Sequence, residues 1–267
     1  MTARFAAARD NQAGPGPQRG DPASDPPIDG RYSGLTPDAS APDRSAQRPI
    51  PSRLVLASTS PRRRQILEQL GFSYQTVAIE VDESPHSDEA PEALAERLAQ
   101  AKARAGASLY PGSWCIGADT VVALGSAALG KPTDTGAARR MLIQLRGREH
   151  RVLSAVALAR VTSSGETRVW HRLDTASVRM RDYTDQEVEV YAASGDPLDK
   201  AGAYAIQHAG FHPVERLSGC FLTVMGLPLP ALCALLDDAG ASRPAVTADA
   251  LEAICPNCAD KDRLLGP

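Results

Sequence analysis

Leu54-Val55-Leu56-Ala57-Ser58-Thr59-Ser60-Pro61-Arg62-Arg63-Arg64-Gln65-Ile66-Leu67-Glu68-Gln69-Leu70-Gly71 decides how this chain is read. The first four residues are a short apolar run, the pattern of a buried strand. Ser60 stands at a helix N-cap position with Pro61 in the first turn. Ile66, Leu67 and Leu70 then share one face, and Gly71 is a stop. Between strand and helix lie Ser58, the arginines Arg62 and Arg63, and the open N–H groups of a helix start. Those groups and the positive end of the helix dipole favour an anion. Hydroxyl and guanidinium donors suit phosphate oxygens in particular. A capped surface helix with solvated arginines has the same sequence, so this stretch alone leaves both readings open.

Outward from it, strands and helices alternate. Tyr74 to Val81 reads as a second strand, and Pro91 opens a long helix through about Ser108 with Leu94, Leu98, Ala101 and Ala105 inward. Trp114 to Leu124 is strand-like, and Asp134-Thr135 begins a helix carrying Met141, Leu142 and Leu145. Val152 to Val161 and Thr167 to Arg179 flank Ser163-Ser164-Gly165-Glu166 as a hairpin. Thr184 with Glu187 forms a capping box for a helix to about Ala193. Pro228 introduces a last helix through Leu236, ended near Gly240. The hairpin interrupts the alternation, so the expected fold is α/β with a mixed sheet flanked by helices.

Residues 1–52 are rich in Pro, Gly, Ser, Asp and Arg and poor in aliphatic side chains, which predicts a disordered extension. The segment 241–267 reads as a polar tail, which leaves 53–240 as the folded domain. The whole chain has 267 residues, a net charge of −3 and 43% hydrophobic residues. A mildly acidic total argues against a protein that grips nucleic acid by its backbone. No stretch approaches the length of a membrane helix, and the N-terminus lacks a secretory apolar region, so a cytoplasmic protein without membrane contact is expected. Oligomeric state is not legible, and a homodimer is left open.

Several residues are candidates for chemistry. Asp119, in Ile116-Gly117-Ala118-Asp119-Thr120-Val121-Val122, is a carboxylate inside an apolar strand, costly to bury unless paired, hydrogen-bonded or on a metal. An Asp that merely caps nearby N–H groups is the rival reading. Gly125-Ser126-Ala127-Ala128-Leu129-Gly130-Lys131-Pro132 nearly spells a P-loop, but Pro132 replaces the metal-binding hydroxyl and removes an N–H. It reads instead as a turn presenting Lys131 as a point charge. Gly202 permits close backbone approach, and Gln207 pairs a donor with an acceptor that suit a base edge. Asp82 and Glu83 offer oxygen ligands for a hard divalent cation, although most acidic pairs in loops are only solvated. Lys102, within the long helix, is unremarkable alone. Cys255 and Cys258 could supply half of a zinc site, but no second pair follows, so an ordinary thiol tail is the preferred reading.

Taken in order, LASTSPRRR from Leu56, EVDESP from Glu80, IGADTVV from Ile116, GKP from Gly130, SGDPLDKAGAYAIQ from Ser194 and VMGLPL from Val224 resemble the Maf family of nucleotide pyrophosphatases. The resemblance implies an elongated, two-lobed α/β body with a central cleft, like the inosine triphosphate pyrophosphatases. It implies cleavage of a nucleoside triphosphate between its α and β phosphates, with magnesium or manganese. On that pattern Asp119 is the proton acceptor. Ser58, Arg62, Arg63, Lys102 and Lys131 match phosphate-facing positions, and Glu83 or Asp82, with Asp119, matches the metal-linked acids. Arg62, Thr120 and Gln207 are similar to the set of the dTTP/UTP-preferring branch, which makes dTTP and UTP the expected substrates. Asp196 replaces a common Glu, and His208 stands beside Gln207 where Gly is common. Three rivals remain: the same chemistry on 7-methyl-GTP, a nucleotide-binding growth or septation regulator without turnover, and a haloacid dehalogenase-type phosphatase. The last lacks its D-x-D pair, since Asp119 is followed by Thr120 and Val121.

Overall fold

The computed structural model describes residues 53–255, 258 and 261–265, with the side chains of 262 and 263 left aside. The expected extension 1–52 lies outside the described residues. A seven-stranded mixed sheet runs in the order β2 (Tyr74–Thr76), β1 (Leu54–Leu56), β3 (Trp114–Leu124), β5 (Glu149–Val161), β6 (Thr167–Met180) and β7 (Val214–Ser218). The seventh strand, β4 (Ala127–Leu129), pairs with β3 off this path. β1 is parallel to β2 and β3, and every other pairing is antiparallel. Helices flank the sheet, as a mixed α/β reading requires.

The path of β3 positions the site. One edge of β3 pairs with β5 along Cys115–Ala123. Its other edge carries β1 at Trp114–Ile116 and β4 at Val122–Leu124. Among the described residues no strand pairs with 117–121 on that side, so the sheet opens there, beside the loop that follows β1. That loop leads into α1 (Pro61–Gln69).

The alternation of side chains along β3 explains which helix covers each face. Trp114, Ile116 and Ala118 join the core formed with Ile66 and Leu67 of α1, with α5 (Phe221–Met225) and with α6 (Leu229–Asp238). Cys115, Val121 and Ala123 pack against Leu94, Leu98 and Ala103 of α2 (Pro91–Leu109). Gly117 lies beneath that helix, and a Cβ there would stand 2.2 Å from the Ala99 carbonyl oxygen and 2.4 Å from the Ala103 nitrogen. Only glycine lets α2 sit so close to the strand. A third cluster joins Val122 and Leu129 to α3 (Thr135–Leu145), α4 (Asp185–Ala193), Tyr204 and Phe211.

Local sequence signals hold at most helix starts. Asp134 accepts from the Ala137 N–H at 2.7 Å, and Thr184 and Glu187 form both halves of a capping box. Ser60 is at the N-cap of α1, but its side chain makes no capping bond; its N–H donates to Ser58 Oγ at 3.2 Å instead. The second strand ends at Thr76 rather than Val81, after a last bond from the Val77 N–H to the Leu56 oxygen. β7 and α5 have no counterpart in the sequence reading, because β7 is an edge strand whose Glu215 and Arg216 are exposed.

The chain also continues to pack past Gly240, where the sequence reading ends the fold. Val246, Leu251 and Ile254 of the segment through α7 (Ala248–Ile254), and Leu264 of α8 (Lys261–Leu265), are buried in the α1–α6 core. Four well-spaced aliphatic residues suffice to dock a segment that is polar on average. Cys255 is buried in the same cluster, and Cys258 packs against it. Among the described residues no group of three or more His, Cys, Asp or Glu could hold a metal ion. No described helix is long and apolar enough to cross a membrane.

Candidate active site

A cleft of about 470 Å³ occupies the opening beside β3. It is lined by Ser58, Arg62, Arg63, Glu83, Lys102, Asp119, Thr120, Lys131 and Gln207, so of the ten positions that the resemblance assigns to the site all but one converge there. Asp82 is the exception. It is exposed, and its carboxylate accepts from the Ser84 N–H at 2.9 Å, which fixes the loop rather than facing the cleft.

Asp119 lies on the α2 face of β3, two residues beyond Gly117. The close seat of α2 brings Lys102 to it, with Nζ 2.7 Å from Asp119 Oδ1. Both residues are buried, at 9% and 8% exposure, so each charge needs the other. The same ammonium donates to Glu83 Oε1 at 2.6 Å, and Lys131 stands 3.7 Å from Glu83 Oε2. Burial pushes the Glu83 carboxyl up, but the Lys102 hydrogen bond and charge, with Lys131 and Arg63 beyond, hold it below its ordinary value. Two carboxylates and two ammonium groups thus meet at one wall.

A second part of the lining is built by the turn after β1. Ser58 is buried, and its Oγ accepts from the Ser60 N–H and from Arg63 Nη1 at 3.1 Å. Its own proton remains for an acceptor in the cleft. Arg63 also donates through Nε to the Gly226 oxygen at 2.8 Å and through Nη2 to Thr120 Oγ1 at 3.4 Å. It therefore ties α1, β3 and the end of α5 together with one guanidinium fork. Burial lowers the Arg63 pKa, opposed by the Asp119 charge and helped by Arg62. Gly226 is left-handed (φ 103°), and a Cβ there would lie 3.2 Å from Thr120 Oγ1.

The segment 194–207 closes the remaining side through a chain of charges. Arg62 Nη1 lies 3.4 Å from Asp199 Oδ2, Lys200 Nζ 2.6 Å from Asp199 Oδ1, and Lys200 Nζ 3.0 Å from Asp196 Oδ1. The Tyr191 hydroxyl donates to Asp196 at 2.6 Å. Gly202 is left-handed, and a Cβ there would meet the Val122 methyls at 3.0 Å, so the loop presses onto β3 as its glycine suggests. Gln207 is exposed at the cleft. His208 turns away: its ring packs edge-on against Tyr191 and its Nδ1 accepts from the Phe211 N–H. It is absent from the cleft lining that Gln207 joins.

Lys200, Asp199 and Ser154 escaped the sequence reading. The spacing of Asp196 and Lys200, one turn apart, is the signal that could have paired them. Ser154 gave none, since a lone Ser inside an apolar strand looks like filler.

Chemically, the cleft offers cationic and hydroxyl donors together with two carboxylates already paired to lysines. The donor set also suits a divalent cation, because magnesium is usually held by one or two carboxylates and by substrate phosphates. A family model described as Maf-like protein matches residues 53–239. A dTTP/UTP pyrophosphatase of Myxococcus xanthus (strain DK1622) is 48% identical over 191 residues, covering 72% of this chain and 94% of that protein. A dTTP/UTP pyrophosphatase of Thermomicrobium roseum is 43% identical over 208 residues, covering 77% and 92%. Among solved structures, the Ham1 protein of Staphylococcus aureus covers 70% of this chain and 99% of that one, at 16% identity and a TM-score of 0.40.

Proposed function

The chain belongs to the Maf-like protein family, and from that membership we propose that it hydrolyses dTTP and UTP to the nucleoside monophosphate and pyrophosphate. The observation that carries this reading is the convergence of Asp119, Lys102, Glu83 and Lys131 in one cleft with Ser58, Arg62 and Arg63. A triphosphate is densely anionic, so a nucleophile approaches it only where cations surround the chain. Ser58, Arg62, Lys102 and Lys131 supply donors for the phosphate oxygens.

Asp119 is the general base of this proposal. Its Oδ1 is engaged by Lys102, and its second oxygen is the one that takes the proton of the attacking water. Glu83 fixes Lys102 from the other side and so orients the ammonium between the two carboxylates. Magnesium or manganese would be held by Asp119 and Glu83 and would neutralise the charge that develops on the phosphates. Asp119 does not form a covalent link in this scheme, and the departing pyrophosphate leaves along the cationic wall.

In this proposal Gln207, Thr120 and Arg62, which line the cleft, select the base. Pyrophosphate release from UTP, dTTP, CTP, GTP and 7-methyl-GTP, compared as kcat/KM, tests the assignment. The expected order puts UTP and dTTP first. Preference for a guanine substrate would remove the pyrimidine assignment, and pyrophosphate from none of them would leave a binding protein without turnover.

A further inference from the structure

Ser154 lies in the middle of β5 and is wholly buried, at 0% exposure. Its Oγ is 2.6 Å from the Thr223 carbonyl oxygen and 2.9 Å from Thr120 Oγ1. A carbonyl oxygen has no proton to give, so the first contact uses the single proton of Ser154. The second contact must then use the proton of Thr120. Thr223 is itself held, because its buried hydroxyl donates to Asp174. The direction of the whole chain is therefore fixed: Thr120 gives to Ser154, and Ser154 gives to Thr223.

With its proton committed inward, Thr120 can only accept from the cleft. Arg63 Nη2, at 3.4 Å, already approaches it as a donor, which agrees with that polarity. We propose that Ser154 is a positioning residue for base selection, making Thr120 an obligate acceptor that admits the N3–H of uracil or thymine and rejects the N3 lone pair of cytosine. The inference rests on the pyrophosphatase reading above and deepens it. Gln207 alone cannot make this distinction, because its amide can turn to present either oxygen or nitrogen. A hydroxyl whose proton is held by a buried neighbour has no such freedom. Facing cytosine, it would leave two acceptors opposed and unsatisfied.

The test compares kcat/KM for UTP, CTP and dUTP in the wild-type full chain, Ser154→Ala, Thr120→Val and the double variant. The ratio is taken within one preparation, so any loss of folded protein cancels. Ser154→Ala frees the Thr120 hydroxyl to rotate, and the UTP:CTP ratio should fall about tenfold, the scale of one hydrogen bond. Thr120→Val should lower the ratio similarly, and the double variant should add nothing further. Should Ser154→Ala not fold, an unchanged ratio in Thr120→Val still overturns the inference, and Ser154→Thr, which keeps the hydroxyl, should keep the ratio. An unchanged ratio in either single variant, or a shift only in UTP against dUTP, which would place the contact at the sugar, overturns the inference. Wild-type protein that releases no pyrophosphate from any nucleotide overturns the underlying reading and the inference with it.

Discussion

Asp119 and Lys102 form a buried pair whose members depend on each other, whereas Lys131 meets Glu83 at 3.7 Å on the exposed rim. The two lysines should therefore behave differently when removed. Lys102→Ala leaves a carboxylate uncompensated and should lose about 3–5 kcal/mol of stability. Lys131→Ala should lose less than about 1 kcal/mol, as exposed pairs do, while still weakening triphosphate binding. Urea unfolding of both variants checks this, and equal losses would mean that the Lys102 pair is not the buried keystone proposed. Asp119→Asn keeps the shape and removes the base. It should lower kcat by about 10²–10⁴-fold with nucleotide affinity largely kept, measured by turnover and by calorimetric titration. At this scale the sequence was informative, because a carboxylate in Ile116–Val122 is anomalous wherever it is met. The direction of a hydroxyl proton was not, since it depends on Thr223, which is 69 residues from Ser154 in the chain.

Gly117 shows how an element is placed by what one residue lacks. A methyl there would meet the backbone of α2 at 2.2 and 2.4 Å, and backbone cannot rotate aside. Gly117→Ala should push α2 outward, cost about 1–3 kcal/mol, and lower kcat because Lys102 leaves Asp119. Normal activity with a lowered melting temperature would show that the seat of α2 matters for stability alone. At the start of α4, the Arg181 hydrogen bond and the Thr184 backbone N–H hold the Glu187 carboxyl at about 2. A depressed carboxylate contributes stability above its unfolded value near 4.3, and that contribution is lost as pH falls towards 2. The melting temperature of Glu187→Gln should therefore fall less steeply than wild type over that interval. The capping box, the β5–β6 hairpin and the three long helices were legible because short-range patterns fix them. β7 and α5 were not, because an edge strand with a polar face and a five-residue helix take their form from packing.

For the molecule as a whole, the family match over 53–239 and the buried residues beyond it divide the C-terminal segment from the N-terminal one. Loss of residues 1–52 should leave turnover unchanged, as their composition predicts. Ending the chain at Pro244 removes Val246, Leu251, Ile254 and Leu264 from the core, each worth about 1.5–3 kcal/mol when fully buried. That truncation should lower the melting temperature by several degrees or prevent folding, which calorimetry on purified protein decides. The gap in the sheet at 117–121 gathers motifs spread from Ser58 to Gln207 at one cleft, so the order of motifs in the chain could be read long before their convergence could. The central claim is the bond that is cut. Phosphorus NMR of the full chain turning over UTP with magnesium reads it directly. The account predicts UMP and pyrophosphate from the wild-type protein and, over the same short time course, no more than about a hundredth as much of either from Asp119→Asn. UDP with inorganic phosphate, or an unchanged UTP spectrum, would contradict it.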